Sequence, residues 1–319
     1  MNKLGIFMNF WEKNWDADHA KYIKKAANIG FDILEFQAQP LLEMSKEHMR
    51  DLKKLADEVG IELTYSLGLD RAYDVSSPDE KIRLGGVDYL KRIVECIGYM
   101  DGTLLSGVSY AGWGTPSYVM DDKRPLWENS IKSMREIIKT AEDNGVTYCV
   151  EAVNRFEGCL INTAAEALAY ADEIDSKNIG VLLDTYHMNI EETNIGDAIR
   201  LVGDRLTSFH TGENNRTAPG KGHLDWDEIF GALKDINYKN RIVSEPFVMQ
   251  GGEVGRDIKV FRDLIDNPCE ARIDEEAAYL LNFEKEMLKK IWSRIRSCAI
   301  MIYIRNGDTY VEILLLLFR

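Results

Sequence analysis

The chain has 319 residues, 45% hydrophobic and 29% charged, with 24 Gly and 7 Pro, a globular composition long enough for one large barrel or two smaller domains. The formal net charge of -14 sets a mean field that repels phosphate-rich partners, and no run of Lys and Arg makes a basic patch, which argues against nucleic acid and anionic membranes as partners. Five cysteines (Cys96, Cys149, Cys159, Cys269, Cys298) are odd in number and contain no CxxC pair, the pattern of a reduced, cytoplasmic protein and not of a disulfide or zinc framework.

The N-terminal MNKLGIFMNF meets Glu12, Lys13 and Asp16 too soon for a signal peptide, and Leu4 to Asn9 reads as a first strand. Asp16 to Ile29 has helical spacing with Gly30 as its stop. Phe31 to Gln37 is a second strand, Ser45 to Val59 a helix closed by Gly60, and Ile61 to Leu67 a third strand. Ser77-Pro78-Asp79-Glu80 predicts a helix start with Ser77 as cap and Glu80 completing a capping box, and the helix reaches about Met100. Gly102 to Val108 is strand four, Pro125 to Asn144 a helix, and the VTYCVEAVNRFE stretch from Val146 strand five. Helix Thr163 to Ile174, strand Ile179 to Leu183, helix Ile195 to Val202 and strand Leu206 to His210 follow. Helix Asp225 to Ile236, strand Arg241 to Ser244, and helical patterns over Gly255 to Ile265 and Asp274 to Trp292 complete the series.

Eight short strands alternating with helices at intervals of roughly 30 to 40 residues predict repeated βα units. Their number and size match an α/β protein built as a single (β/α)8 TIM barrel over residues 1–292. An open doubly wound sheet would carry a Gly-rich turn after strand one, where this chain has NFWEKNW. Residues 293–319 form a tail outside that pattern, apolar from Ile313 to Phe318 and too short there for a membrane span.

In a barrel the C-terminal strand ends converge on one bowl. Strands five to eight place Glu151, Asp184, His210 and Glu245 there. Singly, each has a plain structural explanation: a helix-capping carboxylate, an Asx turn, a buried imidazole. Four such residues at four successive strand ends make coincidence a poor explanation, because removing them from water without a cation is costly. The oxygen-rich set suits Mn, Mg or Co. Glu151 and Glu245 approach from different sides of the ring, so one can take a proton from one face of a carbon while the other returns it to the opposite face, as an epimerase requires. A cation holding adjacent carbonyl and hydroxyl oxygens would stabilise the cis-enediolate. Glu157, His187 and Arg216 follow in the same loops as partners for sugar hydroxyls, with loop salt bridges the alternative. Phe7, Trp113 and Trp15 are candidate walls of the pocket.

The segments GFDILEFQAQPL, CVEAVNRFEGCLINTA, VLLDTYHMNIEE, FHTGENNRTAPGKG and SEPFVMQGG resemble the D-tagatose 3-epimerase / D-psicose (D-allulose) 3-epimerase family of xylose isomerase-like barrels, from about Lys3 to Trp292. The resemblance implies Mn2+ or Co2+ on Glu151, Asp184, His210 and Glu245, with Mg2+ as a third option. It implies proton transfer by Glu151 and Glu245, and Glu157, His187 and Arg216 on the first oxygens of a free ketohexose. It further implies homodimers or homotetramers. Phe7 stands where several members carry tyrosine, and Leu67 where a small or polar group is common, so the preferred ketose is left open. Alternatives on the same barrel are a hydroxypyruvate isomerase, an inosose dehydratase or an aldose–ketose isomerase. A phosphosugar epimerase would need a phosphate cradle, for which Pro219 to His223 with Arg216 is the candidate. An endonuclease IV-like nuclease would need more than five histidines and a basic face, and a non-enzymatic sugar-binding barrel would not need the second carboxylate.

Overall fold

Buried runs such as LGIF, ILEFQ and IGVLLD can satisfy their backbone only by pairing on both edges, and here they close into a ring. The structure is a computed structural model describing residues 2–116 and 122–305. Its strands are β1 (Leu4–Phe7), β2 (Ile33–Gln37), β3 (Glu62–Ser66), β4 (Leu104–Ser106), β5 (Thr147–Ala152), β6 (Ile179–Asp184), β7 (Leu206–Thr211) and β8 (Arg241–Ser244). Each pairs in parallel with the next and β8 returns to β1, so the sheet is a closed barrel. The architecture is the expected (β/α)8 barrel, and nearly every strand residue is buried because helices cover the outside.

The helices are α1 (His19–Ile29), α2 (Lys46–Val59), α3 (Glu80–Tyr99), α4 (Arg124–Asp143), α5 (Ala164–Ile174), α6 (Thr185–Glu191), α7 (Ile195–Val202), α8 (Trp226–Asp235), α9 (Gly252–Asp257) and α10 (Glu270–Arg305). Their limits follow from caps. Ser45 accepts from the His48 N–H and Gly60 turns left-handed at φ 76°, which bounds α2. Asp225 accepts from the Glu228 N–H and starts α8.

Three expectations need correction. The cap of α3 is Asp79, whose carboxylate accepts from the N–H groups of Lys81 and Ile82. Ser77 instead accepts from the Asp79 N–H one step earlier, so the charged cap nearer the dipole prevails over the hydroxyl. The helix expected over Gly255 to Ile265 is reduced to α9. Lys259 takes a left-handed φ of 66° and Leu264 N–H bonds back to Val248 O at 2.8 Å, which breaks any continuation. Strand one ends at Phe7, where the chain turns into a 3-10 segment over Met8–Phe10. A short helix that periodicity did not show, α6, begins directly at the end of β6 with Asp184 as its cap.

The core has two parts. The outer faces of the strands pack on the helices through residues such as Ile6, Leu34, Tyr65 and Phe209. A separate plug of Leu104, Cys149 and Leu182 lies two residues before Ser106, Glu151 and Asp184 on the same strands, one layer beneath the bowl on the inward face. α10 closes the ring: Lys25 on α1 meets Asp274 at 2.8 Å and Phe283 packs edge-on against Trp226 on α8. The boundary expected at 292/293 falls inside α10, and residues 306–319, including Ile313 to Phe318, lie outside the described residues. No helix among the described residues is long and apolar enough to cross a membrane.

Candidate active site

Four strand ends carry the residues that gather at the top of the barrel. Glu151 sits near the end of β5, Asp184 ends β6, His210 is next to last on β7, and Glu245 follows β8. Asp184 and His210 are direct partners across the β6–β7 ladder. Each of the four offers a ligand atom, and those atoms all lie within 4.8 Å of one another. Tyr110 fixes the end of β5 by donating its hydroxyl to Glu151 O at 2.8 Å. Asp184 uses Oδ1 to accept the Tyr186 N–H at 2.6 Å, so it caps a helix and faces the cluster together.

The electrostatics are those of a site built around a cation. Glu151 Oε1 and His210 Nδ1 are buried and make no hydrogen bond to protein, an expense that a bound dication would offset. Burial, then the neighbouring Glu245 charge, pushes the Glu151 carboxyl well above its ordinary range. Burial also raises Asp184. Burial alone would depress His210, but the Glu35 and Glu245 carboxylates hold its imidazole well above the usual value. A cation would reverse both tendencies, and oxygen donors with one imidazole are the donor set of Mn2+, Co2+ or Mg2+.

Beside this cluster lies a second group, formed by Glu157, His187 and Arg216. Arg216 Nη2 lies 3.1 Å from Glu157 Oε1 and Nη1 lies 3.6 Å from Glu245 Oε2. Its guanidinium stacks over Tyr186 at 4.2 Å and over Phe247 at 5.0 Å, contacts a lysine could not reproduce. Arg216 holds a left-handed φ of 64°, kept in place by hydrogen bonds from its N–H to Glu213 O and from Phe247 N–H to its carbonyl, both 2.9 Å. Such backbone strain in a non-glycine residue clusters at functional sites. Although burial opposes it, Arg216 and His187 keep the Glu157 carboxyl below its ordinary range. Burial lowers the imidazole of His187. The Asn154 N–H donates to His187 Nδ1 at 3.2 Å, while on the other side of the ring Nε2 lies 3.2 Å from Arg216 Nη2 and 3.5 Å from Glu151 Oε1.

Glu151 and Glu245 of the first group and all three residues of the second line one cavity of about 820 Å³, a size typical of small-molecule sites. Phe7 and Phe247 form an edge-on pair at 5.9 Å on its wall. Trp113 and Trp15 meet edge-on at 6.4 Å, and Trp15 donates its indole N–H to Asp257 at 2.9 Å. Leu67 is wholly buried and also lines the cavity. The segment Pro219 to His223 is not a free phosphate cradle: Lys221 pairs with the buried Glu276 and Glu213 accepts the Gly220 N–H at 2.8 Å.

Sequence reasoning missed two residues of this neighbourhood. Asn154 is buried and donates its amide to Glu157 Oε1 at 3.0 Å, so it ties that group to His187. Glu35, on β2, is wholly buried beneath the cluster. The signal for Glu35 was present: a carboxylate in the middle of a strand otherwise buried on both faces.

The chain matches the xylose isomerase-like TIM barrel family over residues 23–280. It is 43% identical over 287 residues to the D-psicose 3-epimerase of Ruminiclostridium cellulolyticum, covering 90% of this chain and 98% of that one. The crystal structure of a D-psicose 3-epimerase with D-tagatose from Clostridium cellulolyticum H10 superposes with a TM-score of 0.88, at 43% identity, over 90% of this chain and 99% of the other. A D-psicose 3-epimerase structure in the presence of D-fructose gives 0.87 at 39% identity, again over 90% and 99%. The strand-end carboxylates, the closed barrel and these likenesses together place the chain in the xylose isomerase-like TIM barrel family, among the D-psicose 3-epimerase isomerases.

Proposed function

We propose that the protein is a divalent-metal-dependent 3-epimerase of free ketohexoses, interconverting D-fructose with D-psicose and D-tagatose with D-sorbose. The observation that carries this reading is the pair Glu151 and Glu245, brought from strands β5 and β8 to one cluster, where carboxylates can address opposite faces of a carbon held between them. One removes the proton at C3 and the other returns a proton to the opposite face. His187 and Arg216 bind the carbonyl and hydroxyl oxygens beside C3, and Glu157 keeps Arg216 in place. When bound, Mn2+ or Co2+, with Mg2+ as a third option, on Glu151, Asp184, His210 and Glu245 supplies positive charge against the cis-enediolate-like anion formed next to the carbonyl. Phe7 and Trp113 wall the far end of the sugar, and Leu67 lies in the same wall.

Free sugars are favoured over phosphorylated ones because Arg216, beside the cluster, is already paired with Glu157, and Lys221 with Glu276. The structures with D-tagatose and D-fructose support ketohexoses. A homodimer or homotetramer in the cytoplasm, with no nucleic acid or membrane partner, completes the reading, and every residue invoked lies before position 292.

The test is proton exchange in heavy water. Metal-stripped protein with added Mn2+ is incubated with D-fructose and followed by NMR and sugar chromatography. D-Psicose bearing deuterium at C3, lost on chelation, is the expected result. Exchange at C1 with an aldose product would instead show an aldose–ketose isomerase, and no exchange with any free ketose would sink the ketose reading.

A further inference from the structure

The inward face of β2 carries at its middle a carboxylate with no role in the reading above. Glu35 is 0% exposed, and a charge sealed from water inside a barrel is costly unless its contacts compensate. Its Oε2 accepts from the Thr64 hydroxyl at 3.0 Å and from the Ser106 hydroxyl at 3.4 Å. Its Oε1 lies 2.9 Å from His210 Nε2. The His210 N–H lies off the line between them, and neither atom has another partner. On the other side of the ring, Nδ1 lies 3.7 Å from Glu245 Oε2 and faces the cluster. The contacts therefore run in one chain, from Thr64 and Ser106 through Glu35 and the imidazole to the cluster.

We propose that Glu35 is a positioning residue for His210: it takes the Nε2 proton's direction and so commits Nδ1, with its lone pair, to the cation. An imidazole carries its proton on either nitrogen, and the wrong choice presents N–H to a cation, which repels it. An acceptor on the far side of a ligating imidazole removes that choice and makes the ring a better donor. Thr64 and Ser106, on β3 and β4, hold the acceptor in turn, so strands that supply no ligand still aim one.

The inference rests on the metal reading of the site, and the experiment separates the two. Co2+ is titrated by calorimetry into metal-stripped wild type, Glu35→Gln and Glu35→Leu, and the visible absorption of each Co2+ form is recorded. Wild type that binds no Co2+ would overturn the metal reading itself. With wild type binding, the expected result is affinity lowered about 10- to 100-fold in Glu35→Leu, less in Glu35→Gln, a changed Co2+ spectrum, and metal-free melting no lower than wild type for Glu35→Gln. Unchanged affinity and spectrum in both variants would overturn the role of Glu35 alone. If neither variant folds, wild type labelled with 15N-histidine and loaded with diamagnetic Mg2+ or Zn2+ decides it, because the chain has only five histidines. A proton on Nε2 of His210 supports the proposal, and a proton on Nδ1 refutes it.

Discussion

The two halves of the barrel do different work at the same cavity. Strands β5 to β8 and their loops supply Glu151, Asp184, His210 and Glu245, and then Glu157, His187 and Arg216. Strands β1 to β4 and their loops supply Phe7, Trp15, Leu67 and Trp113 to the wall, and their inward carboxylate, Glu35, points at His210 from below. The charged half is over-determined. Arg216 is held by two carboxylates, two rings and a strained backbone, and His187 by the Asn154 N–H. The apolar half is held mainly by packing, with the Trp15 indole N–H to Asp257 as a polar tie. Chemistry that depends on atoms placed to a fraction of an ångström belongs on the first kind of surface. Discrimination among ketoses that differ far from C3 belongs on the second.

That division can be broken most severely at the proposed proton-transfer pair. Glu151→Gln and Glu245→Gln should each lower kcat roughly a thousandfold or more, read as loss of C3 deuterium exchange, and a Glu245→Gln enzyme with normal turnover would mean that one base suffices. Chelation of wild type should abolish the same exchange, and Mn2+ or Co2+ should restore it. Arg216→Lys keeps the charge but loses the fork and the stacking, and kcat/KM should fall roughly 10- to 100-fold. On the apolar half, Phe7→Tyr and Leu67→Ser should leave the exchange reaction intact. They should change the ratio of kcat/KM for D-fructose and D-tagatose by about tenfold or less. A loss of all activity there would show that the two halves are not separable.

The smallest effect concerns the outside of the same strands. Glu284 on α10 is buried and accepts from Thr211 at 2.5 Å and Ser244 at 2.8 Å, next to His210 and Glu245. Burial pushes its carboxyl up to about 7. The folded protein therefore keeps a proton that the unfolded chain gives up near pH ~4.3. Its contribution to stability falls as pH rises from there to about 7, and is constant above that. Glu284→Gln should raise the melting temperature at pH 8 by about 2–4 °C and leave it unchanged at pH 5. Equal shifts at both pH values would contradict the titration.

Much of this was legible because parallel strands buried on both faces announce themselves as short apolar runs, and because carboxylates and histidine at their ends have few structural excuses. Caps such as Ser45 and Asp225 could be read from residue type alone. The features that escaped are those decided by tertiary contacts. α6 was hidden because its cap, Asp184, also ends a strand, so VLLDTYHMN reads as one continuous element. Ser77 lost the start of α3 to Asp79, two plausible caps side by side with only geometry to choose. The segment after α9 kept helical spacing but is pulled away by its bond to Val248. Asn154 looks like any loop amide until the fold brings His187, 33 residues on, against it.

One consequence of the β1–β8 pairing concerns how the chain is made. The ring is closed by β8 returning to β1, a seam reinforced by Asn2, whose amide donates to the carbonyls of Tyr238 and Asn240. During synthesis the first four strands emerge with two open edges and without any of the four cluster residues. The last strand brings both the missing edge and Glu245. Sheet closure and completion of the cluster are thus one event, so the four candidate ligands come together only on a finished barrel.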